Sequence, residues 1–256
     1  MATVRELSGP YENFLVQILP RGSGVCEVCH TAVAMNYSKC FQCCQAEAHL
    51  PERANAVASI ALAVKGEQLA YELAGYKNQF GTRSRERMTL GLAALMWRWL
   101  TIHECCVAEE AGVEQFDLVT IVPTTRERLG IHPLQHIAEE LIGLTRDRFM
   151  LLLEMDPTAN QGRMPRIDRF RSLGHRLSGE SILVLDDTWT TGANAQSVAA
   201  RLKEIGASKV GIVSIGRHFA VPRDGKFRPV YQEYLRKAKR LGWSWNRCCL
   251  DHCWYQ

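Results

Sequence analysis

The chain has 256 residues, 46% of them hydrophobic, and a formal net charge of +4 with a pI near 8.5. This composition supports one sizeable core with room for a small module, and excludes a disordered chain. The mild basicity favours anionic ligands without indicating nucleic acid. The chain opens with no basic segment leading into a long apolar run, and the apolar stretch Leu90–Leu100 is broken by Arg98 and carries two tryptophans. No signal peptide and no membrane insertion are therefore expected, and a cytoplasmic location is.

Ten cysteines are many for such a location, and in a reducing compartment paired cysteines indicate metal rather than disulfides. Residues 1–50 are expected to form a separate cysteine-rich, zinc-ribbon-like module. In it, Cys26-x-x-Cys29 and Cys40-x-x-Cys43 are separated by ten residues. Two such knuckles supply four thiolates tetrahedrally to Zn2+. Cys44 is a candidate substitute for Cys43, and His30 and His49 are expected to be bystanders. The metal replaces a core that fifty residues could not build alone; a docking or nucleic-acid-binding ribbon is the functional alternative. Pro51 marks the exit to a second domain, residues 51–256.

In that domain Val57–Val64 fits either a strand or a buried helix. Glu67–Ala74 reads as a short helix ending at Gly75. Arg85–Ala111 has helical spacing through Met88, Leu92, Leu95, Met96 and Trp99, and stops at Gly112. Four short apolar runs follow, at Leu118–Val122, Phe149–Leu153, Ser181–Leu185 and Val210–Ile215. They alternate with helix-like Leu134–Leu144 and with Gly192–Ile205, whose Ala195, Val198, Ala199, Leu202 and Ile205 share one face. This order predicts an α/β fold: a doubly wound, mostly parallel sheet covered on both faces.

Asp186-Asp187-Thr188-Trp189-Thr190-Thr191-Gly192 ends a buried run and precedes a helix, the place where open α/β sheets bind ligands. A helix N-terminus offers unpaired N–H groups and partial positive charge to a phosphate. Thr190 and Thr191 add hydroxyls, and Gly192 allows close backbone approach. Two adjacent carboxylates suit neighbouring sugar hydroxyls, directly or through metal-bound water. The loop Pro123–Gly130 also follows an apolar run and carries Arg126 and Arg128, whose guanidinium forks match phosphate oxygens. The segment Asp156–Arg171 carries Arg163, Arg166, Arg169 and Arg171, and is either a closing lid or a plain surface loop.

ILVLDDTWTTG (Ile182–Gly192) resembles the ribose-phosphate motif of the type I phosphoribosyltransferases, which bind 5-phosphoribosyl 1-diphosphate (PRPP) with Mg2+. The resemblance implies that Asp186 and Asp187 hold the ribose hydroxyls and that Thr188, Trp189, Thr190, Thr191, Gly192, Ala193 and Asn194 cradle the 5-phosphate. Asn194 stands where the family often has Ser or Thr. Thr190 stands where several purine-salvage members carry an acid, and a threonine is no effective base at neutral pH, so that chemistry is disfavoured. Pro123–Gly130 resembles the family's diphosphate loop, which adds Thr124, Thr125, Arg126 and Arg128, with Lys77 as a further diphosphate candidate. Its usual Arg-Gly pair appears here as Arg128-Leu-Gly130. Asp156–Arg171 resembles in place the family's mobile catalytic loop.

A cysteine ribbon ahead of a PRPP-binding domain is similar to the ComF family, phosphoribosyltransferase-like proteins associated with bacterial competence. That resemblance covers the ribbon, Leu73–Lys77 (LAGYK), Pro123–Gly130, Asp186–Gly192 and Ile215-Gly-Arg217. It implies a type I phosphoribosyltransferase sheet with a hood and a basic C-terminal segment. The implied function is transfer of a phosphoribosyl group to an unidentified acceptor with release of diphosphate, with Asp186, Asp187, Arg126 and Arg128 as catalytic residues. Arg217 and His218 are candidates to border the acceptor pocket, although His218 equally fits a surface histidine. The alternative is a non-catalytic PRPP-fold protein acting in DNA uptake or nucleic-acid processing, with single-stranded nucleic acid or DNA-uptake proteins as partners. Lys226, Arg228, Arg236, Lys237, Lys239 and Arg240 before Trp243 and Trp245 fit it, since bases stack on aromatics beside cations; they fit equally a solvated helix with tryptophans docked on the core. Cys248, Cys249, His252 and Cys253 lie outside either resemblance. They either bind a second metal or pack as small apolar residues, and packing is favoured because adjacent cysteines do not readily face one ion. Cys105 and Cys106 are expected to be structural.

Overall fold

A computed structural model describes residues 2–77, 81–124, 131–159, 162 and 164–250. A capped first turn, α1 (Val4–Ser8), leads into a 3-10 turn at Gly9–Asn13 and then an extended segment, which together place Tyr11, Leu15 and Ile18 in the main core. Val16 forms an antiparallel bridge to Leu62, so this segment covers one edge of the sheet. The two cysteine knuckles follow, the second opening helix α2 (Phe41–His49).

The central sheet is built from β1 (Ala56–Val64), β2 (Leu118–Ile121), β5 (Ser181–Trp189) and β6 (Lys209–Phe219), all parallel, in the order β1-β6-β5-β2. Between β2 and β5, β3 (Leu153–Met155) and β4 (Phe170–Ser172) form a separate antiparallel pair. The ambiguous run Val57–Val64 is a strand buried at every position; buried on both faces, it needs no polar alternation. The run Phe149–Leu153 differs from the expected strand. Only Phe149 bridges β2, in parallel, and the chain then turns away into the β3–β4 hairpin.

Two helices follow β1: α3 (Gln68–Gly75) and α4 (Thr82–Ala111). α4 ends where Gly112 takes φ +78 and its N–H reaches the carbonyls of Ala108 and Glu109, a glycine-specific stop. Leu134–Leu144 is not one helix. It divides into α5 (Pro133–His136), a π turn at Ile137–Leu141, and α6 (Gly143–Arg146), with Ile142 extended between them. The break lets Leu134, Ile137 and Ile142 all be buried. α7 (Ala193–Glu204) links β5 to β6, and α8 (Arg228–Leu241) follows β6.

Strand alternation sorts the core into two layers. Leu183, Leu185, Val213 and Ile215 face Leu92, Leu95, Met96 and Trp99 of α4. Ile182, Val184, Val210 and Ile212 face Val198, Ala199 and Leu202 of α7, together with the four knuckle cysteines. Helices thus cover both faces, and the C-terminal ends of all four parallel strands open on one side. α8 buries only Tyr234 and Ala238. Beyond it Trp245 sits on the core, its ring over the Arg98 guanidinium at 3.9 Å and its Nε1 donating to Glu12. Trp243 packs edge-on against it at 5.5 Å. Trp245 is thus buried on the core, and Trp243 is partly buried beside it. Among the described residues, no helix is long and apolar enough to cross a membrane.

Candidate functional site

At the C-terminal ends of the strands lies a cleft of about 1210 Å³. β5 runs on through Asp186 and Asp187 to Trp189, so the acid pair stands at the strand end rather than in a free loop. Asp187 is buried; it accepts a 2.5 Å hydrogen bond from Tyr76 Oη and an ion pair from Lys77. Asp186 is partly buried, and its Oδ1 accepts from the Asp187 backbone N–H at 2.9 Å. Burial, then the adjacent Asp187 charge, pushes Asp186 up to about 7, against the pull of Lys77. One of two neighbouring carboxylates is thus poised to take up or release a proton near neutral pH.

The chain then turns into α7. Gly192, at φ +77, precedes the first helical residue, and Thr191 Oγ1 accepts from the Ala193 N–H at 3.3 Å. Thr188, Thr190, Thr191, Gly192, Ala193 and Asn194 all line the cleft, as do Asp186, Asp187, Lys77 and Thr124. Trp189 does not. Its indole is 1% exposed and packs under the turn; a Cβ on Gly192 would lie 2.1 Å from its ring. Gly192→Ala therefore meets both left-handed strain and a clash. It is expected to cost about 2–4 kcal/mol of stability, read as a lowered Tm; an unchanged Tm would show that Trp189 yields without cost.

The structure brings further residues to the cleft that the motifs did not single out. Tyr76, adjacent to Lys77 in the LAGYK string, is fully buried behind the cleft wall, where it holds Asp187; Gly216 lets α3 pack close, since a Cβ there would lie 2.4 Å from Leu73. Lys65, at the turn after β1, and His132, which caps α5, line the cleft itself. His218 lines the cleft as well, and burial, then the Arg217 and Lys65 charges, lowers its pKa, so it is neutral at pH 7.

Arg217 does not border the cleft, contrary to expectation. It follows the strand alternation that puts His218 on the other side. Its guanidinium is buried, donating from Nε to the Cys29 carbonyl at 3.3 Å and from Nη2 to Cys29 Sγ at 3.5 Å. From Nη1 it reaches the carbonyls of Trp189 and Thr190 at 3.1 and 3.0 Å. One side chain thus ties the cysteine cluster to the turn that lines the cleft.

The β3–β4 hairpin carries the arginine-rich segment over the start of α7. Arg169 is buried and donates to Asn194 Oδ1 and to the Met164 carbonyl at 2.7 Å. The Arg166 N–H donates to Ser197 Oγ at 2.8 Å, while its guanidinium pairs with Asp168. Arg171 pairs with Glu154. Arg163, Thr125, Arg126 and Arg128 lie outside the described residues, as does the rest of the segment 125–130.

Cys26, Cys29, Cys40 and Cys43 are all buried, and their sulfur atoms lie within 4.8 Å of one another. The Cys29 and Cys40 sulfurs are 3.6 Å apart. Two thiolates on a tetrahedral zinc stand about 3.8 Å apart, so the spacing is that of a closed four-sulfur site. The first knuckle closes by hydrogen bonds from Cys26 N to Thr31 O at 2.8 Å and from His30 N to Cys26 O at 2.9 Å, with His30 at φ +54. In the second, Cys40 caps α2 and Cys43 lies in its first turn, while Cys44 is exposed; Cys43 is therefore the fourth sulfur. Hydrogen bonds from Cys26, Cys40 and Cys43 hold Cys29 well below the usual thiol range, assisted by Arg217, whereas the other sulfurs push Cys43 far above it. Four sulfurs this close ionise together only when a cation compensates them. The His30 ring stays outside this group, and burial lowers its pKa to about 4. The cluster can hold a structural metal such as zinc.

The sequence matches no protein-family model and no curated protein.

Proposed function

We propose that this chain is a PRPP-binding phosphoribosyltransferase-like protein of the ComF kind, with a type I phosphoribosyltransferase sheet. It would transfer the phosphoribosyl group to an acceptor and release diphosphate. The observation that carries this reading is the convergence of Asp186, Asp187 and the Thr188–Asn194 turn in one cleft, at the end of a central parallel strand and the start of a helix. Adjacent carboxylates match vicinal ribose hydroxyls, and the α7 N-terminus with Thr190 and Thr191 matches a terminal phosphate. Lys77 and Thr124 extend the polar lining toward the diphosphate, where Arg126 and Arg128 are the sequence candidates.

The ligand would arrive with Mg2+, which screens the charge of the departing diphosphate; Asp186 and Asp187 are carboxylates of the kind that hold such an ion or its waters. The chain's own residues would position the ribose, orient the anomeric carbon toward the acceptor and withhold water. No acid occupies position 190, so the acceptor is not deprotonated there; the neutral His218 in the cleft lining is a residue able to take a proton from it. The alternative nucleic-acid reading would rest on the basic residues of α8, which lie on the surface, and on the partly buried Trp243.

The test incubates the metal-loaded protein with PRPP and Mg2+ and measures diphosphate release against a panel of bases and amines. Release that depends on one acceptor class is the expected result. PRPP binding without release for any acceptor would leave a binding protein and overturn the transferase reading. No binding at all would overturn the ligand.

A further inference from the structure

A second group of metal-binding side chains lies on the opposite side of the sheet, away from the cleft. His103 and Cys106 stand one turn apart on α4, spaced to share a face. The segment after α8 returns across this face and adds Cys248. His103 Nδ1 or Nε2 and the two sulfurs all lie within 4.8 Å of one another, and the three residues are 0%, 5% and 2% exposed. Cys106 Sγ and His103 Nδ1 are 3.8 Å apart. An imidazole nitrogen and a thiolate on one tetrahedral zinc stand about 3.6 Å apart.

The ring is also oriented as a ligand. His103 Nε2 meets the Trp245 carbonyl at 2.6 Å. A carbonyl only accepts, so Nε2 carries the proton and Nδ1, on the side of Cys106 Sγ, carries a lone pair. A ring N–H held by a backbone carbonyl, which fixes the tautomer and the ring plane, is the usual arrangement of metal-bound histidine. The returning segment is itself anchored: Gln17 accepts from Ser244 N at 3.3 Å and donates to the Arg247 carbonyl at 3.4 Å.

We propose that His103, Cys106 and Cys248 are ligands of a second structural zinc ion, which fastens the segment after α8 to the C-terminal part of α4. Structural zinc takes four donors; the described residues supply these three. Binding displaces the thiol protons to solvent and changes no oxidation state. The site is independent of the ligand cleft and of the proposed transferase activity.

The experiment is metal analysis of the full chain, purified reduced and without oxygen, together with zinc-edge X-ray absorption on the same sample. Two zinc ions per chain are expected, with a zinc–nitrogen distance of about 2.0–2.1 Å beside the zinc–sulfur distance of about 2.3 Å. Cys248→Ser and Cys106→Ser are each expected to lower the content to one ion and leave an all-sulfur spectrum. Cys26→Ser with Cys29→Ser should do the converse and leave a mixed nitrogen–sulfur spectrum. One zinc per chain with an all-sulfur shell in the unmodified protein overturns the proposal, whether or not the variants fold. So does a Cys248→Ser variant that keeps two ions, or a Cys106–Cys248 disulfide found by mass spectrometry in place of the second metal.

Discussion

Removing zinc from the Cys26, Cys29, Cys40 and Cys43 cluster is expected to lower Tm by about 10 °C or more, and to weaken ligand binding in the cleft as well. Structural zinc contributes about 10–16 kcal/mol of apparent binding energy in small modules. Even a third of that, at about 2–4 °C per kcal/mol for a chain of this size, reaches the stated shift. The cluster is part of the core: its sulfurs pack with Val57, Ile182, Val184 and Trp189. Without a cation, the four buried sulfurs cannot all ionise together and lose their common centre. The second effect travels through Arg217. Burial opposes its charge, yet the Cys29 and Cys40 thiolates beside it raise its pKa. The same guanidinium holds the Trp189 and Thr190 carbonyls at the entrance to the α7 turn. Calorimetry with and without a zinc chelator reads the first effect, and PRPP titration well below Tm reads the second. Chelation that strips the metal and leaves Tm unchanged would show that the cluster is not structural. A lowered Tm with unchanged affinity would break the link through Arg217; Arg217→Met, which keeps the metal, should reproduce the loss of affinity alone.

Replacing both carboxylates of the strand end is expected to weaken PRPP binding by roughly 10²- to 10⁴-fold, at about 1.5–3 kcal/mol for each charge-assisted hydrogen bond lost. Their effects on the free protein should differ. The pKa of Asp186 is raised from 3.8 to about 7 by burial and by Asp187. The folded state therefore holds a proton that the unfolded state has released between these two values, so stability falls as pH rises from about 4 to about 7 and is level above. Asp186→Asn removes that fall and should raise Tm at pH 7.5 while lowering affinity, the pattern of a site that sacrifices stability for function. Asp187→Asn instead loses the Lys77 ion pair and weakens the Tyr76 hydrogen bond, and should lower Tm. Affinity should also increase as pH rises through about 7, because the ionised Asp186 is the better acceptor for ribose hydroxyls or a cation. Isothermal titration across this range, with Tm measured beside it, checks all three statements. An Asp186→Asn protein that binds PRPP normally would remove the carboxylate from the site.

Much of the cleft was legible because its parts are contiguous in sequence. Asp186 to Asn194 is one strand end, one turn and one helix start, and local geometry alone puts Thr190, Thr191 and Gly192 beside the acids. Tyr76 was less legible, since nothing local says that a tyrosine on the loop after α3 reaches a carboxylate on β5. Trp189 shows the limit of reading a motif as a block. It lies in the middle of the string Asp186–Gly192, yet the strand continues to it, and its side chain turns into the core.

The knuckle cysteines behaved in the same way. The spacing Cys26-x-x-Cys29 and Cys40-x-x-Cys43 brings two short turns together, and turns of that length constrain their own sulfurs. The choice of Cys43 over Cys44 follows from helix phase, which the sequence left open until α2 was seen to start at Phe41. Leu134–Leu144 has the apolar period of a helix, but burying Leu134, Ile137 and Ile142 together required a π turn and an extended residue.

By itself, then, the sequence determined the α/β character, the parallel strands β2, β5 and β6, the strand-end acid pair and the two cysteine pairs, because each depends on neighbours within about a dozen residues. The tertiary structure decided the rest. Arg217 is joined to Cys29 and to the Trp189–Thr190 carbonyls only because parallel pairing sets β6 beside β5 and alternation turns it from the cleft. Cys248 meets His103 and Cys106 only because Trp245 and Leu250 are buried on the core, drawing the end of the chain across α4. Such juxtapositions arise from burial over long loops, and no local spacing encodes them.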